Sequence, residues 1–318
     1  MPGRRQGGLF DAAAMNEPAE KPHWLKVKAP MGQAVEDMRR MVAGHALVTV
    51  CEEAQCPNRG DCWRHGTATF MVCGDVCTRA CGFCATRTAR PAPLDGGEPQ
   101  RVAEAVGRLK LDHTVITMVT RDDLPDGGAA HLAAVLRAIR RVSSQTVLEV
   151  LASDFNGNEA ALATLLEARP HIFAHNVETV ERLTPLVRFR ARYRRSLTML
   201  RRAAELAPGM VVTKSGLMLG LGETREEILH TMDDLLEQGV SVLTLGQYLR
   251  PTPRHLPVID YLRPEVFEEL RLTALQKGFE HVASAPLIRS SHHEANFRPA
   301  PAVMTALEAD LRRRGEID

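Results

Sequence analysis

An α/β fold built as a partial (β/α)6 TIM-like barrel is what this sequence predicts, on three observations. From residue 67 onward, short β-branched or apolar runs alternate with amphipathic stretches of helical period. The alternation repeats about six times. It is contained in residues 67–286, too short a span for eight full units. Strands alternating with helices pair in parallel through right-handed crossovers, so the choice lies between an open doubly wound sheet and a full or partial barrel. Six units in this length suit the partial barrel.

Residues 1–30 are rich in Gly, Pro, Ala and charge and read as a flexible arm that becomes ordered near Trp24-Leu25-Lys26-Val27. Residues 31–66 form an N-terminal extension. Strands are expected at 67–72, 113–119, 146–151, 171–174, 211–219, 242–245 and 281–285. The intervening helices are expected at 98–110, 128–141, 157–168, 179–187 with 195–207, 223–238 and 264–277. Residues 287–318 are a C-terminal extension. In a barrel or an open sheet, chemistry gathers at the C-terminal ends of the strands.

The 318 residues are 44% hydrophobic and 25% charged, which excludes disorder throughout and allows one large core. No run approaches the roughly eighteen apolar residues of a spanning helix, and residues 1–30 lack the apolar core of a secretory signal. Arg4 and Arg5 are followed by Asp11, Glu17 and Glu20, against an acid-poor transit peptide. A cytoplasmic location with no membrane partner is expected. With 40 basic and 39 acidic residues the net charge is +1, so no nucleic acid partner is expected either.

All seven cysteines lie between Cys51 and Cys84. A disulfide framework has no reason to crowd them so, and a reducing compartment points to metal ligands or catalytic thiols. Cys77, Cys81 and Cys84 follow the first strand with spacing C-x3-C-x2-C. One loop can wrap three such thiolates around a cuboidal cluster, leaving the fourth iron open to bind a ligand. Structural zinc usually takes paired C-x2-C knuckles, and no second knuckle of that spacing is present. Cys51, Cys56 and Cys62 form a second triplet, C-x4-C-x5-C, so two clusters are implied. Cys73 stands outside both and is expected in the core.

The C-x3-C-x2-C triplet, with Phe83 before its last cysteine, resembles the signature of the radical S-adenosylmethionine superfamily. The second triplet, together with Arg121-Asp122-Asp123-Leu124-Pro125-Asp126-Gly127-Gly128, Ala174-His175-Asn176-Val177-Glu178-Thr179 and the late Arg289-Ser290-Ser291, is similar to the lipoyl synthase family within it. The likeness runs over about residues 25–293 and includes Lys26-Val27-Lys28-Ala29-Pro30. It implies two 4Fe-4S clusters and S-adenosylmethionine. The first, on Cys77, Cys81 and Cys84, chelates S-adenosylmethionine through its open iron and reduces it to methionine and a 5′-deoxyadenosyl radical. The auxiliary cluster, on Cys51, Cys56, Cys62 and Ser291, sits on the two extensions and is consumed as the sulfur donor. A serine alkoxide is harder and more readily lost than a thiolate, which suits a cluster that must open.

The reaction so implied inserts two sulfur atoms at C6 and C8 of an octanoyl-lysine. The implied partners are an octanoylated lipoyl carrier domain (glycine cleavage H protein or 2-oxoacid dehydrogenase E2), an electron donor such as flavodoxin or ferredoxin, and an iron–sulfur carrier protein. Asp122, Asn176 and Glu178 follow strands and are candidates to orient S-adenosylmethionine, with helix capping as the alternative. Gly220 and Gly222 are candidates to admit the adenine against bare backbone. In the basic run Arg188, Arg190, Arg192, Arg194 and Arg195, either Arg194 or Arg195 is expected at a carboxylate of cofactor or carrier. His292-His293 stands where the family most often has Tyr-His. The competing readings are another radical sulfur-inserting enzyme, methylthiotransferase-like, and a zinc-stapled binding module. Brown colour in protein purified without oxygen separates iron–sulfur clusters from zinc.

Overall fold

The computed structural model describes residues 20–27, 31–45, 47–54, 56–292 and 297–317. Lys28-Ala29-Pro30, most of the arm and His293 lie outside the described residues. The N-terminal extension opens with α1 (Gln33–Gly44), whose Val35, Met38 and Val42 are buried one turn apart on a single stripe. Then follow β1 (Val48–Thr49), the single turn α2 (Val50–Glu53) and α3 (Arg59–Arg64). Thr49 caps α2 by accepting from the Glu52 amide.

The barrel begins with β2 (Thr67–Val72), followed by the short pair β3 (Val76–Cys77) and β4 (Arg87–Thr88) and then α4 (Glu98–Leu109). β5 (His113–Met118), α5 (Ala129–Val142), β6 (Val147–Leu151) and α6 (Glu159–Leu166) continue it. Next come β7 (Ile172–Ala174), the one-turn α7 (Thr184–Val187), α8 (Tyr193–Leu206), β8 (Val212–Leu219) and α9 (Arg225–Glu237). β9 (Val242–Gln247), α10 (Pro264–Lys277) and β10 (His281–Ser284) complete it, and α11 (Pro301–Arg313) closes the C-terminal extension.

Eight strands form one sheet in the order β1-β2-β5-β6-β7-β8-β9-β10. β2 and β5 to β10 are parallel, while β1 joins the edge of β2 antiparallel, Val48 opposite Met71. β1 and β10 end the order unpaired with each other, so the barrel is partial, as expected. Its strands are buried on both faces, which is why they read as continuous apolar runs rather than alternating ones. The buried polar residues within them are paired: Glu149 lies 2.9 Å from Lys214 Nζ and 3.1 Å from His113 Nε2. At the N-terminal ends of the strands, Val147, Ile172, Val212 and Val242 cluster against Phe297. There α11 is tied on by Arg169 to Asp310 at 2.6 Å.

One expected helix, 179–187, is instead a 3-10 turn (Glu181–Leu183) and the single turn α7. Pro185 is the reason: lacking an N–H, it fits only the first turn of a helix, so the helix must restart at Thr184.

Candidate active site

The cysteine loop leaves β2 through Cys73 and Gly74, both with positive φ, and passes through β3. Other loops hold its backbone. The Thr78 amide and hydroxyl both donate to the Thr120 carbonyl, at 3.0 and 2.9 Å. The Gly82 amide donates to the Val187 carbonyl and the Gly82 carbonyl accepts from the Leu256 amide, each at 2.9 Å. His255 Nε2 sits 3.0 Å from the Cys84 carbonyl. A Cβ on Gly82 would stand 2.8 Å from Leu256 Cδ1, so a larger residue there would have to push the Leu256 side chain aside.

Inside this loop lies a cavity of about 570 Å³ lined by Cys77, Cys81 and Cys84 and, from the N-terminal extension, by Cys51 and Cys56. Cys62, in α3, is buried behind them. Burial, then the neighbouring Cys84, pushes the Cys81 thiol up to about 12; burial, then Cys56, does the same to Cys51. Buried thiols that repel one another as anions can ionise together only around positive charge, which is what a cationic cluster provides. Cys77, Cys81 and Cys84 from one loop, with Cys51 and Cys56 at the same cavity, are soft thiol donors of the kind that iron–sulfur clusters take.

The C-terminal extension reaches the same cavity through Arg289, Ser290 and Ser291. Its path is pinned against β9. The Gln247 amide donates to the Pro286 carbonyl at 3.1 Å, and a Cβ on Gly246 would stand 2.1 Å from the Ile288 carbonyl. Asn58 Nδ2 donates to the Leu287 carbonyl, joining the two extensions. Thus Cys51 and Cys56 share a cavity with Ser291, across an Asn58–Leu287 tie that spans 229 positions. His292 is buried beside Asp61, at 3.9 Å.

Asn176 and Glu178 line the cavity. Asn176 Nδ2 donates to Glu178 Oε1 and to Ser290 Oγ, both at 3.1 Å, while its Oδ1 is buried with no hydrogen-bond partner among the described residues. Burial holds the Glu178 carboxyl above the usual range, although Arg188 opposes this. Arg188 also lines the cavity, donating to Ser196 Oγ at 2.9 Å. The basic run does deliver an arginine to the site, but it is Arg188, not Arg194 or Arg195. Arg194 pairs with Glu181 at 2.7 Å and Arg195 with Asp154 at 2.7 Å.

Asp122 is likewise committed elsewhere. Arg79, between the first two cysteines of the loop, donates to both Asp122 oxygens at 2.8 Å, to Asp154 Oδ1 at 2.7 Å and to Asn156 Oδ1 at 3.2 Å. Burial would raise the Asp154 carboxyl, but Arg79 holds it far below the usual carboxylate range. Asp122 and Arg195 do not line the cysteine cavity; with Arg79, Asp154 and Asn156 they form a network bracing the loops after β2, β5 and β6. Gly220 and Gly222 line a separate cavity with Ile259 and Asp260, not the cysteine cavity. A Cβ on Gly220 would stand 2.3 Å from the Asp260 carbonyl and 2.2 Å from Gln247 Nε2, so chain packing already explains that glycine. Cys73 is in the core, 1% exposed.

A profile of the Radical SAM superfamily matches residues 71–235. The fold is shared with methylornithine synthase (TM-score 0.54, 12% identity, 88% of this chain and 92% of the other). It is shared equally with SuiB of Streptococcus suis bound to S-adenosylmethionine (TM-score 0.54, 12% identity, 76% and 57%). A partial barrel with a three-cysteine loop at the C-terminal end of its first parallel strand, matched by that profile, defines a radical SAM protein. Within the class, the lipoyl synthase of Rubrobacter xylanophilus is 55% identical over 273 residues, 86% of this chain and 85% of its own length. That of Shouchella clausii is 55% identical over 274 residues (86% and 88%), and that of Porphyromonas gingivalis 50% identical over 279 (88% and 98%). The chain belongs to the lipoyl synthase family.

Proposed function

We propose that this chain inserts two sulfur atoms at C6 and C8 of an octanoyl group amide-linked to a lysine of a lipoyl carrier domain, giving the lipoyl group. One observation carries the reading: a single cavity is lined by Cys77, Cys81 and Cys84 together with Cys51, Cys56 and Ser291. When bound, S-adenosylmethionine on the first 4Fe-4S cluster supplies the hydrogen-abstracting radical, and the auxiliary cluster supplies sulfur. Cys77, Cys81 and Cys84 hold the former; Cys51, Cys56, Cys62 and Ser291 hold the latter.

The remaining walls fit the other participants. Arg188 is a buried cation suited to a carboxylate, and Glu178 with the unpartnered Asn176 Oδ1 accepts from an ammonium or hydroxyl group, so together they suit an amino-acid head group. Leu25, Val50, Met71, Met118, Leu151, Leu217 and Ile288 are apolar and suit an eight-carbon chain away from water. The carrier is the H protein of glycine cleavage or an E2 of a 2-oxoacid dehydrogenase, and an iron–sulfur carrier protein rebuilds the auxiliary cluster. Asn176, bonded to both Glu178 and Ser290, links the segment after β7 to the C-terminal extension.

The test separates the two cysteine sets. Cys51→Ala and Ser291→Ala keep 5′-deoxyadenosine formation but form no lipoyl product, and Cys81→Ser loses both. Lipoyl product from the Cys51→Ala protein would refute the donor assignment.

A further inference from the structure

The cysteine loop has an outer side that the proposed reaction does not use. Three chain segments frame it, 85–90, 186–192 and 252–255, held by the Gly82 to Val187 bond, the Leu256 to Gly82 bond and the His255 to Cys84 contact. Together they contain six arginines and no Asp or Glu. Arg188 turns inward; Arg87, Arg90, Arg190, Arg192 and Arg254 are exposed. Among them Leu186 is 42% and Phe189 48% exposed, and the Arg190 guanidinium lies 5.4 Å from the centre of the Phe189 ring. Asp75, 3.2 Å from Arg87, pairs with one arginine of this rim, and Asp123 is coupled electrostatically to Arg90.

We propose that this rim is the docking face for an acidic one-electron donor protein, which passes its electron to the cluster held by Cys77, Cys81 and Cys84. The proposal rests on the proposed function, since only a reducible cluster in the loop needs such a donor. Charge complementarity selects an acidic partner, and the exposed Phe189–Leu186 pair supplies a small apolar centre inside a charged rim, the form of a transient electron-transfer contact. Position selects the donor over the acyl carrier. Leu186, Phe189, Arg190, Arg192 and Arg254 do not line the cavity, whereas Arg188 and Ala191 of the same stretch do. A protein seated on the rim therefore reaches the loop through Gly82 and Val187 while leaving the cavity free for cofactor and acyl chain. The step is an electron transfer alone: the reduced donor loses one electron, the cluster gains it, and no bond or proton moves.

The experiment compares 5′-deoxyadenosine formation by the anaerobically reconstituted protein under two reductants, dithionite and reduced flavodoxin, with reduced 2Fe-2S ferredoxin as a second protein donor. In the Phe189→Ser, Arg190→Glu, Arg192→Glu variant the dithionite rate stays within about twofold, while the rate with the protein donors falls about tenfold or more. Arg254→Glu, on a different segment, shows the same split to a smaller extent. The wild-type rate with flavodoxin, but not with dithionite, falls as salt rises from about 0.05 to about 0.3 M. Equal rates under both reductants would overturn the proposal, and so would equal losses under both. A loss confined to turnover of an octanoylated carrier domain under dithionite would assign the rim to the carrier instead. Absence of 5′-deoxyadenosine from the wild type under dithionite would refute the proposed function itself.

Discussion

Replacing Arg79 by Met removes the side chain that joins three loops around the cysteines, and its cost can be worked from the contacts. The guanidinium is 5% exposed, its partner Asp154 is fully buried and Asp122 is 14% exposed. Removing one partner of a buried ion pair costs about 3–5 kcal/mol, because the other charge is left without compensation. Here the orphans are not bare: Asp154 keeps Arg195 at 2.7 Å and the Asn156 amide at 3.1 Å, and Asp122 keeps Asn156 Nδ2 at 3.1 Å. The lower end applies, about 3 kcal/mol, which at about 2 °C per kcal/mol for a chain of this size lowers the melting temperature by about 6 °C. Arg79→Lys, which keeps the charge but loses the bidentate fork, falls about halfway. The assay is thermal unfolding of the cluster-free protein followed by circular dichroism, so that no effect on activity enters. A change below about 1 °C in Arg79→Met, or identical losses in the Lys and Met variants, would refute the brace.

Acid should destabilise the protein well before its carboxylates titrate. Burial holds His171 down to about 3, and burial followed by Arg188 holds His175 down to about 4, against 6.5 in the unfolded chain. Both imidazoles stay neutral in the fold, so their contribution is complete above pH 6.5 and is lost as pH falls below it, by about 2 kcal/mol each at pH 5. Urea midpoints at pH 7 and pH 5 measure this, and a flat profile would contradict it. Gly246→Ala places a methyl on the Ile288 carbonyl and should displace the segment carrying Ser291. Iron content is then expected to drop toward one cluster per chain, with 5′-deoxyadenosine formation retained and sulfur insertion lost; retention of both clusters would show that the segment tolerates the shift. Asn58→Ala, which cuts the tie to Leu287, should do the same more mildly, within about tenfold in product rate.

The barrel was legible because its strands are buried on both faces and its helices carry a clear apolar stripe. The 67–72 strand and the 264–277 helix coincide with β2 and α10, whose ends are marked by Pro264 and Gly278. The extensions were less legible. The stripe Val35, Met38, Val42 spans only three turns, and α2 and α3 are too short for a period to show. At the site, the cysteine triplets announced themselves by spacing alone. Asp122 and Arg195 did not announce their true partners, because Arg79 to Asp154 is a contact across 75 positions that no local pattern records. Gly220 looked like a place for a ligand because a glycine at a strand end has the same appearance whether it faces a cofactor or, as here, the Asp260 carbonyl. The signal for Arg188 was present, as one of five arginines in the run, but only the fold turns that one inward.

One cavity is expected to serve both cysteine sets in the insertion of two sulfur atoms. The most direct test is the mass of an octanoyl-lysine peptide after incubation with the anaerobically reconstituted protein, dithionite and S-adenosylmethionine. The expected result is a gain of two sulfur atoms with loss of two hydrogens. 5′-Deoxyadenosine with the peptide mass unchanged would contradict it, leaving a radical enzyme of this fold that acts on something else.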